Sequence, residues 1–234
     1  MKKALLLFLL VPYYAIAQDE PLPPEEPHAE EKKSWFSAGI MLMPEYISFF
    51  RAEPTDSIEI LPKAGFSAGL NLEFSLTPKL SLRTGLGYGQ KNLGINHNGL
   101  IFNSDLDLTG GGMGTTSRAE LRYHYNEIQL PVLFQYEMIE DRFFVSAGTE
   151  LIYAMPGNSE RTIYYGNGTV EKSHIESYDR VNVCVSISSG YKFHFAGNLN
   201  LTVEPMFRYC LIPYPINDGV VYSFGLKTTL NMEF

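Results

Sequence analysis

The sequence predicts an all-β protein, an eight-stranded antiparallel up-and-down transmembrane β-barrel. Three observations lead to this prediction: segments that alternate apolar and polar residues, connections that are alternately short and long, and an amino-terminal segment typical of exported proteins. Alternation with a period of two indicates strands with one apolar and one polar face. Strands of about ten residues joined by short turns at one end and long loops at the other are typical of outer-membrane barrels.

Seven segments show the alternation, and the last of them, "VVYSFGLKTTLNMEF", shows it most clearly. An eighth candidate, "SWFSAGIMLMP" at 34–44, is apolar on both faces, so its register is less defined. Short connections are predicted at 77–79, 139–142 and 196–198, long ones at about 45–63, 91–120 and 156–178, and a medium one at 212–219. With the short turns on the periplasmic side, both termini are predicted to be periplasmic. The predicted strands are 34–44, 66–74, 80–89, 127–137, 143–155, 181–193, 199–211 and 220–234.

The amino-terminal 33 residues are predicted to precede the barrel as two separate segments. Residues 1–17 combine Lys2 and Lys3, a short apolar run and small residues before a cleavage site after Ala17, which is the layout of a signal peptide. The apolar run is far shorter than the roughly 20 residues that a membrane-spanning helix needs. Residues 18–33 are acidic and Pro-rich, which predicts an extended periplasmic linker. The barrel is assigned to residues 34–234.

Composition narrows the classes of function. The 234-residue chain has a net charge of −8, which argues against a nucleic-acid partner, since such proteins usually carry a basic stripe. It contains 15 Tyr and 15 Phe residues, a bias that favours β-structure with broad aromatic surfaces. The sequence has no His-x-His motif and no Cys cluster, so we expect neither a metal nor a cofactor.

The distribution of charge and glycine predicts which face of the strands lies inside. A soluble barrel keeps apolar residues inside, whereas a membrane barrel turns them toward lipid. Gly69, Gly85, Gly87, Gly148 and Gly190 share the charged face, and a narrow barrel interior needs small residues. The charged face is therefore predicted to be the lumen, where charges of both signs should pair and plug the barrel. The predicted lumen network is Glu73, Arg83, Glu127, Glu150, Lys192, Glu204, Arg208 and Lys227.

The two cysteines, Cys184 and Cys210, are both predicted to point inward. A three-residue loop at 196–198 places them directly opposite each other on neighbouring strands. The envelope is oxidising, so a cross-strand disulfide is one prediction. Two buried thiols are the alternative, because cross-strand geometry is often strained.

The apolar face of the last strand should contact outer-membrane lipids. A final strand that ends in an aromatic residue also resembles the insertion signal that the barrel-assembly machinery reads in outer-membrane proteins, which makes that machinery an expected partner. The residues assigned to this signal are Phe224, Leu226, Leu230, Met232 and Phe234.

Two stretches resemble the PorT-like outer-membrane β-barrel family of Bacteroidetes-type bacteria. One is "YHYNEIQLPVLFQYE" (123–137), in which Gln129 and Leu130 stand between Ile128 and Pro131; the other is the Gly-rich hairpin "GFSAGLNLEFSLTPKLSLRTGLGYGQKN" (65–92). The resemblance covers residues 34–234 and implies an outer-membrane location. Some members are implicated in protein secretion across the outer membrane, so secretion-system proteins are expected partners.

The predicted function is that of a non-catalytic structural or accessory envelope protein with a plugged lumen. A lipid A-modifying enzyme is one alternative, because His97, His124 and His174 lie in or near predicted outer loops that also contain serines. These candidate serines are Ser104, Ser117, Ser159, Ser173 and Ser177. A catalytic pair depends on geometry, which spacing alone does not supply. A narrow channel is the second alternative, although eight strands leave room only for side chains.

Overall fold

The computed structural model describes residues 34–50, 58–98, 116–139, 142–155, 157–165, 168–175, 180–195, 197–212 and 220–234. The predicted signal peptide and linker lie outside the described residues. Within the described ranges, no helix is long and apolar enough to cross a membrane. The regular elements there are eleven strands: β1 (Phe36–Phe50), β2 (Ile58–Leu61), β3 (Lys63–Ser75), β4 (Leu80–Asn98), β5 (Thr116–Ile139), β6 (Phe143–Met155), β7 (Ser159–Tyr165), β8 (Val170–Ile175), β9 (Arg180–His194), β10 (Leu199–Cys210) and β11 (Val220–Glu233).

Eight of these strands form a closed antiparallel ring in the order β1-β3-β4-β5-β6-β9-β10-β11. The last strand pairs with the first, with Ile40 opposite Leu230, and β4 pairs with β5 along almost its whole length. Closing the ring gives each of the eight ring strands two partners, so none of them is an edge of the ring. The prediction of an eight-stranded antiparallel barrel is therefore confirmed.

Burial alternates along the ring strands as a membrane barrel requires. On β11, Leu226 and Leu230 are about half exposed, whereas Lys227 and Thr229 between them are buried. The outward face is thus apolar and the inward face polar, the reverse of a soluble barrel. A hydrophobic surface of this extent is stable when lipid covers it.

Aromatic residues concentrate at the two ends of this outward apolar face. We call one end the turn end, where the connection 76–79 joins β3 to β4, and the opposite one the loop end. Trp35, Tyr136 and Phe234 are exposed at the turn end, and Tyr46, Tyr88 and Tyr153 face outward at the loop end. Two such girdles flank the apolar band of transmembrane barrels, where amphipathic rings lie at the headgroup level.

At the loop end, the structure corrects the predicted loops. β1 continues to Phe50 and β4 to Asn98, while β5 has 24 residues and begins at Thr116. Three further strands, β2, β7 and β8, occupy other parts of the segments that had been predicted to be long loops. A transmembrane strand needs only 9 to 11 residues. These strands therefore extend past the apolar band.

The extension stands on one side of the barrel, and we call it the raised wall: β2, the loop-end halves of β4 and β5, and strands β7 and β8. Within it, β2 pairs with β4, β5 pairs with β7, and β7 pairs with β8. Its polarity is the reverse of the membrane band, since Leu93 and Ile95 are buried inside and Asn92 faces outward. Strands with an apolar inner face are typical of β-structure in water, which explains why a membrane-barrel pattern did not predict them.

Candidate functional site: the lumen and the raised wall

The lumen contains all eight predicted network residues, each at most 7% exposed. The structure adds Glu45, Lys91 and Glu137 to them, all of which are also buried. Buried charges are expensive unless they are paired and hydrogen-bonded. What the lumen can do therefore depends on which of these eleven side chains pair with each other, and on whether the pairs span the lumen.

One group of charges spans the full width of the lumen. Arg83 on β4 binds Glu204 on β10 with both guanidinium nitrogens, Nη1 to Oε2 at 2.6 Å and Nη2 to Oε1 at 3.2 Å. Lys227 on β11 binds the same carboxylate, with Nζ 3.1 Å from Oε1. Three strands separate β4 from β10 on either side of the ring. These contacts therefore join opposite walls of the barrel.

A second group lies nearer the loop end and also reaches across. Glu45 on β1 binds Lys91 on one side, and its Oε2 accepts from Arg208 Nη1 at 3.3 Å on the other. Arg208 Nη2 lies 2.7 Å from Oε2 of Glu150, and Lys91 Nζ lies 3.7 Å from Oε2 of Glu127. This chain of alternating charges connects β4, β1, β10 and β6, so a second bridge spans the lumen.

The turn end of the lumen holds weaker polar contacts. Lys192 Nζ lies 3.6 Å from Oε1 of Glu137. Glu73 accepts a hydrogen bond from the side-chain amide of Gln135 at 3.0 Å, so it is bound by an amide although Arg83 is its register partner on β4. An amide ladder completes this level, in which Asn71 donates to Asn231 at 3.3 Å and Asn231 donates to Asn200 at 3.2 Å.

An apolar cluster lies at the loop end of the lumen, inside the raised wall. Partly buried residues of β2 and β5 pack against it. Burial raises the pKa of the Tyr123 phenol to about 12, against an opposing effect of Arg161, so this side chain stays neutral in the cluster. The buried members of the cluster come from β1, β4, β5 and β11. Its members are Ile47, Phe49, Leu93, Ile95, Tyr123 and Val221.

Cys184 and Cys210 form a disulfide in the structure and are register partners on β9 and β10. Both are buried, and they pack against Ile152 inside the barrel. Beyond the disulfide, the side chain of Asn182 donates to the carbonyl of Ile212 at 3.0 Å and accepts from its backbone nitrogen. The loop end of this strand pair is thus held covalently and by a side-chain clamp.

Sequence reasoning missed Glu45, Lys91 and Glu137 for different reasons. Glu45 lies just past the end of the first predicted strand, 34–44, yet β1 continues through Pro44 to Phe50. Lys91 fell in a predicted loop. Glu137 has the same parity as Glu127 within β5, so alternation alone could have placed it in the lumen.

Of the predicted histidines and serines, His124 and Ser159 are in contact, but the contact uses the backbone of His124 and not its ring. The backbone nitrogen of His124 donates to Oγ of Ser159 at 3.3 Å, while the His124 ring binds the side chain of Asn92 through Nδ1. The Ser159 side chain is buried. Ser104 and Ser177 lie outside the described residues. Within the described ranges, no group of three or more potential metal ligands occurs.

The five residues assigned to the assembly signal all point outward and are exposed. Phe234 also takes part in closing the ring. Its backbone nitrogen donates to the carbonyl of Phe36 at 3.0 Å, and the two rings stack at 5.8 Å between centroids. The end of β11 is therefore attached to the start of β1.

A closed ring with an apolar outer band and a charged lumen defines a small outer-membrane β-barrel protein. Residues 36–214 match the family described as "Outer membrane protein beta-barrel domain", and the chain belongs to that family. The outer membrane is therefore its location. The match is to this general family, so the finer PorT-like resemblance stays a prediction. No curated protein matches the sequence.

Several solved structures are similar to this chain at low sequence identity. Ail, the attachment invasion locus protein of Yersinia pestis, is 10% identical, with 84% of this chain and 99% of that chain covered and a TM-score of 0.40. Neisserial surface protein A is 12% identical, with 86% of this chain and 98% of that chain covered and a TM-score of 0.39. The outer membrane protein AlkL is 11% identical, with 92% of this chain and 96% of that chain covered and a TM-score of 0.45.

Proposed function

We propose that this chain is a non-catalytic outer-membrane barrel with a closed lumen, serving the envelope as a structural or accessory protein. The observation that supports the proposal is the contact between Arg83 and Glu204, which joins opposite walls of the barrel. A water-filled passage would expose the side chains that line it. Here the charged lumen residues are buried, with an apolar cluster at the loop end.

The proposal includes an orientation and a set of partners. With short turns in the periplasm and long loops outside, both termini are periplasmic and the raised wall is extracellular. Lipids contact the apolar band, and the assembly machinery reads the last strand. The more specific version, assistance to a secretion system, rests on the PorT-like resemblance alone. In that version the raised wall or the linker contacts the secretion proteins.

The hydrogen bond and the burial of Ser159 support a non-catalytic function. Its hydroxyl accepts from the backbone of His124 and is buried, which leaves it poorly placed as a nucleophile. A nucleophile is activated when its hydroxyl lies within hydrogen-bond reach of the base. The enzyme alternative predicts that lipid A changes in mass when the protein is expressed, and that His124→Ala abolishes the change.

Two experiments test the proposal. In planar bilayers, the purified folded barrel should give no discrete conductance, and regular conductance steps would instead establish a channel. In a deletion strain, we expect altered levels of secreted proteins or an altered envelope with lipid A unchanged in mass. A change in lipid A mass with normal secretion would replace the proposal with the enzyme alternative.

A further inference from the structure

The raised wall has a depression on its outer face, next to the membrane band. Its volume is about 450 Å³. Leu93, Tyr123 and Ala64 form part of its lining. Its polar lining side chains come from β3, β4, β5 and the start of β7: Lys63, Asn92, Arg122, His124, Asn158 and Glu160.

Two glycines next to this depression allow close approaches of neighbouring chain segments. A Cβ on Gly157 would lie 1.8 Å from the carbonyl oxygen of His124, so only glycine lets the chain before β7 lie this close to β5. On the other side, a Cβ on Gly94 would lie 3.1 Å from Cε of Lys63. The absence of a side chain at Gly94 lets the Lys63 side chain lie across β4 toward the other lining residues.

Hydrogen bonds hold the centre of the depression in place. The side chain of Asn92 donates to the carbonyl of Ala64 at 2.9 Å and binds Nδ1 of His124, so it connects β3 to β5. This leaves Nε2 of His124 to accept a hydrogen bond or, when the ring is protonated, to donate one. Nε of Arg122 donates to Glu120 at 2.8 Å, yet the Arg122 side chain is 62% exposed.

The position of the depression indicates what it meets. Tyr88 belongs to the loop-end aromatic girdle, and its hydroxyl donates to Asn126 at 2.9 Å. His124 is the next outward-facing residue of β5 beyond Asn126. The outward face changes at this point from Leu86 and Ile128 in the apolar band to amide, imidazole and guanidinium groups. The polar groups therefore lie where lipid headgroups border the apolar band.

We propose that this depression binds the phosphorylated sugar headgroup of an outer-leaflet glycolipid. Lys63 and Arg122 supply the two cations that pair with phosphate, and a guanidinium binds phosphate oxygens through paired N–H groups. Asn158 and the lining carboxylate, Glu160, suit the hydroxyl and amide groups of a sugar. The acyl chains continue along the apolar band beside Tyr88, which favours a lipid over a free anion.

The test measures binding of a defined lipid to the full folded barrel in detergent micelles. The probes are bisphosphorylated lipid A, the same lipid with both phosphates removed, and inorganic phosphate as a competitor. The test variant is Lys63→Gln with Arg122→Gln. The matched control is Lys79→Gln with Arg142→Gln, which removes two exposed cations at the turn end. Arg122→Gln alone is a second variant that carries little risk to folding, because the side chain is exposed.

We expect the test variant to bind bisphosphorylated lipid A roughly tenfold more weakly than wild type, while the control binds it normally. Wild type should bind the dephosphorylated lipid more weakly than bisphosphorylated lipid A, by a similar factor. Equal binding by wild type and both test variants would overturn the proposal, and so would equal affinity for the two lipids. Competition by inorganic phosphate as strong as that by lipid A would show a simple anion site and overturn the assignment to a lipid.

Discussion

Arg83 and Glu204 lie on opposite strands of an eight-stranded ring and still form a two-point contact, at 2.6 and 3.2 Å. The Arg83 guanidinium also lies over the ring of Phe144, 5.6 Å from its centroid. Both charged side chains are almost fully buried. The contact therefore spans the lumen and couples two walls that have no backbone pairing with each other.

The first prediction compares how much the barrel is destabilised when either partner of the Arg83–Glu204 contact is removed. Glu204→Gln leaves Arg83 and Lys227 as two buried cations beside a neutral group, whereas Arg83→Met leaves Glu204 paired with Lys227. We expect Glu204→Gln to lower the free energy of unfolding by about 3–5 kcal/mol, and Arg83→Met to lower it by less. Urea titration in lipid vesicles measures both. Glu171→Gln, at an exposed carboxylate, is the control, and the reverse order would contradict the described network.

The second prediction tests the outward face and the depth of the membrane. Leu226 and Leu211 are both exposed, but Leu226 lies well inside the apolar band and Leu211 lies just beyond the end of β10. Leu226→Arg should lower the free energy of unfolding in vesicles by about 2–4 kcal/mol, and Leu211→Arg by about 0–1 kcal/mol. Similar losses at the two positions would show that the apolar band is wrongly placed.

The third prediction concerns the disulfide. Without reductant, the denatured protein should take up no alkylating reagent, and after reduction its mass should rise by two alkyl groups. Replacing Cys184 and Cys210 together with Ser should lower the free energy of unfolding by about 2–4 kcal/mol. Alkylation of two thiols in the unreduced protein would show that the bond seen between β9 and β10 does not form.

The fourth prediction concerns Gly190, which faces the lumen beside the Arg83 contact. A Cβ there would lie 2.4 Å from Cζ of Phe144 and 2.8 Å from Cβ of Glu204. Gly190→Ala should therefore lower the free energy of unfolding by about 1–3 kcal/mol through overpacking. Ser189→Ala, one residue away on the outward face, is the matched control and should have little effect. A fully stable Gly190→Ala barrel would mean that the lumen has spare room at this level.

The fifth prediction separates closure of the ring from recognition by the assembly machinery. Phe36 and Phe234 stack, so Phe36→Ala and Phe234→Ala should each lower the free energy of unfolding in vitro by about 1 kcal/mol or more. In cells, Phe234→Ala should reduce the amount of assembled barrel much more than Phe36→Ala. Equal assembly of the two variants would indicate that Phe234 acts only through packing.

Much of the ring could be predicted from sequence because lipid imposes one simple rule on it. Leu226, Lys227, Leu230 and Asn231 alternate as a lipid-facing and a lumen-facing row, and any strand in the band must do the same. The position of Cys184 directly opposite Cys210 on the neighbouring strand likewise followed from the length of one turn. The raised wall escaped prediction because its strands stand outside the lipid, and there the apolar residues Leu93 and Ile95 face inward.

The sequence by itself determined the period, the number of ring strands and the face that carries the charges, since these follow from local alternation and turn length. Only the tertiary structure decided which charges meet. Arg83 and Glu204 are 121 residues apart, and closure of the ring is what places their strands opposite each other. Lys63, Asn92 and Arg122 meet at one depression because β3, β4 and β5 are neighbouring strands and because β4 and β5 stay paired beyond the apolar band. Partners across a barrel depend on ring order and stagger together, and local alternation carries no information about either.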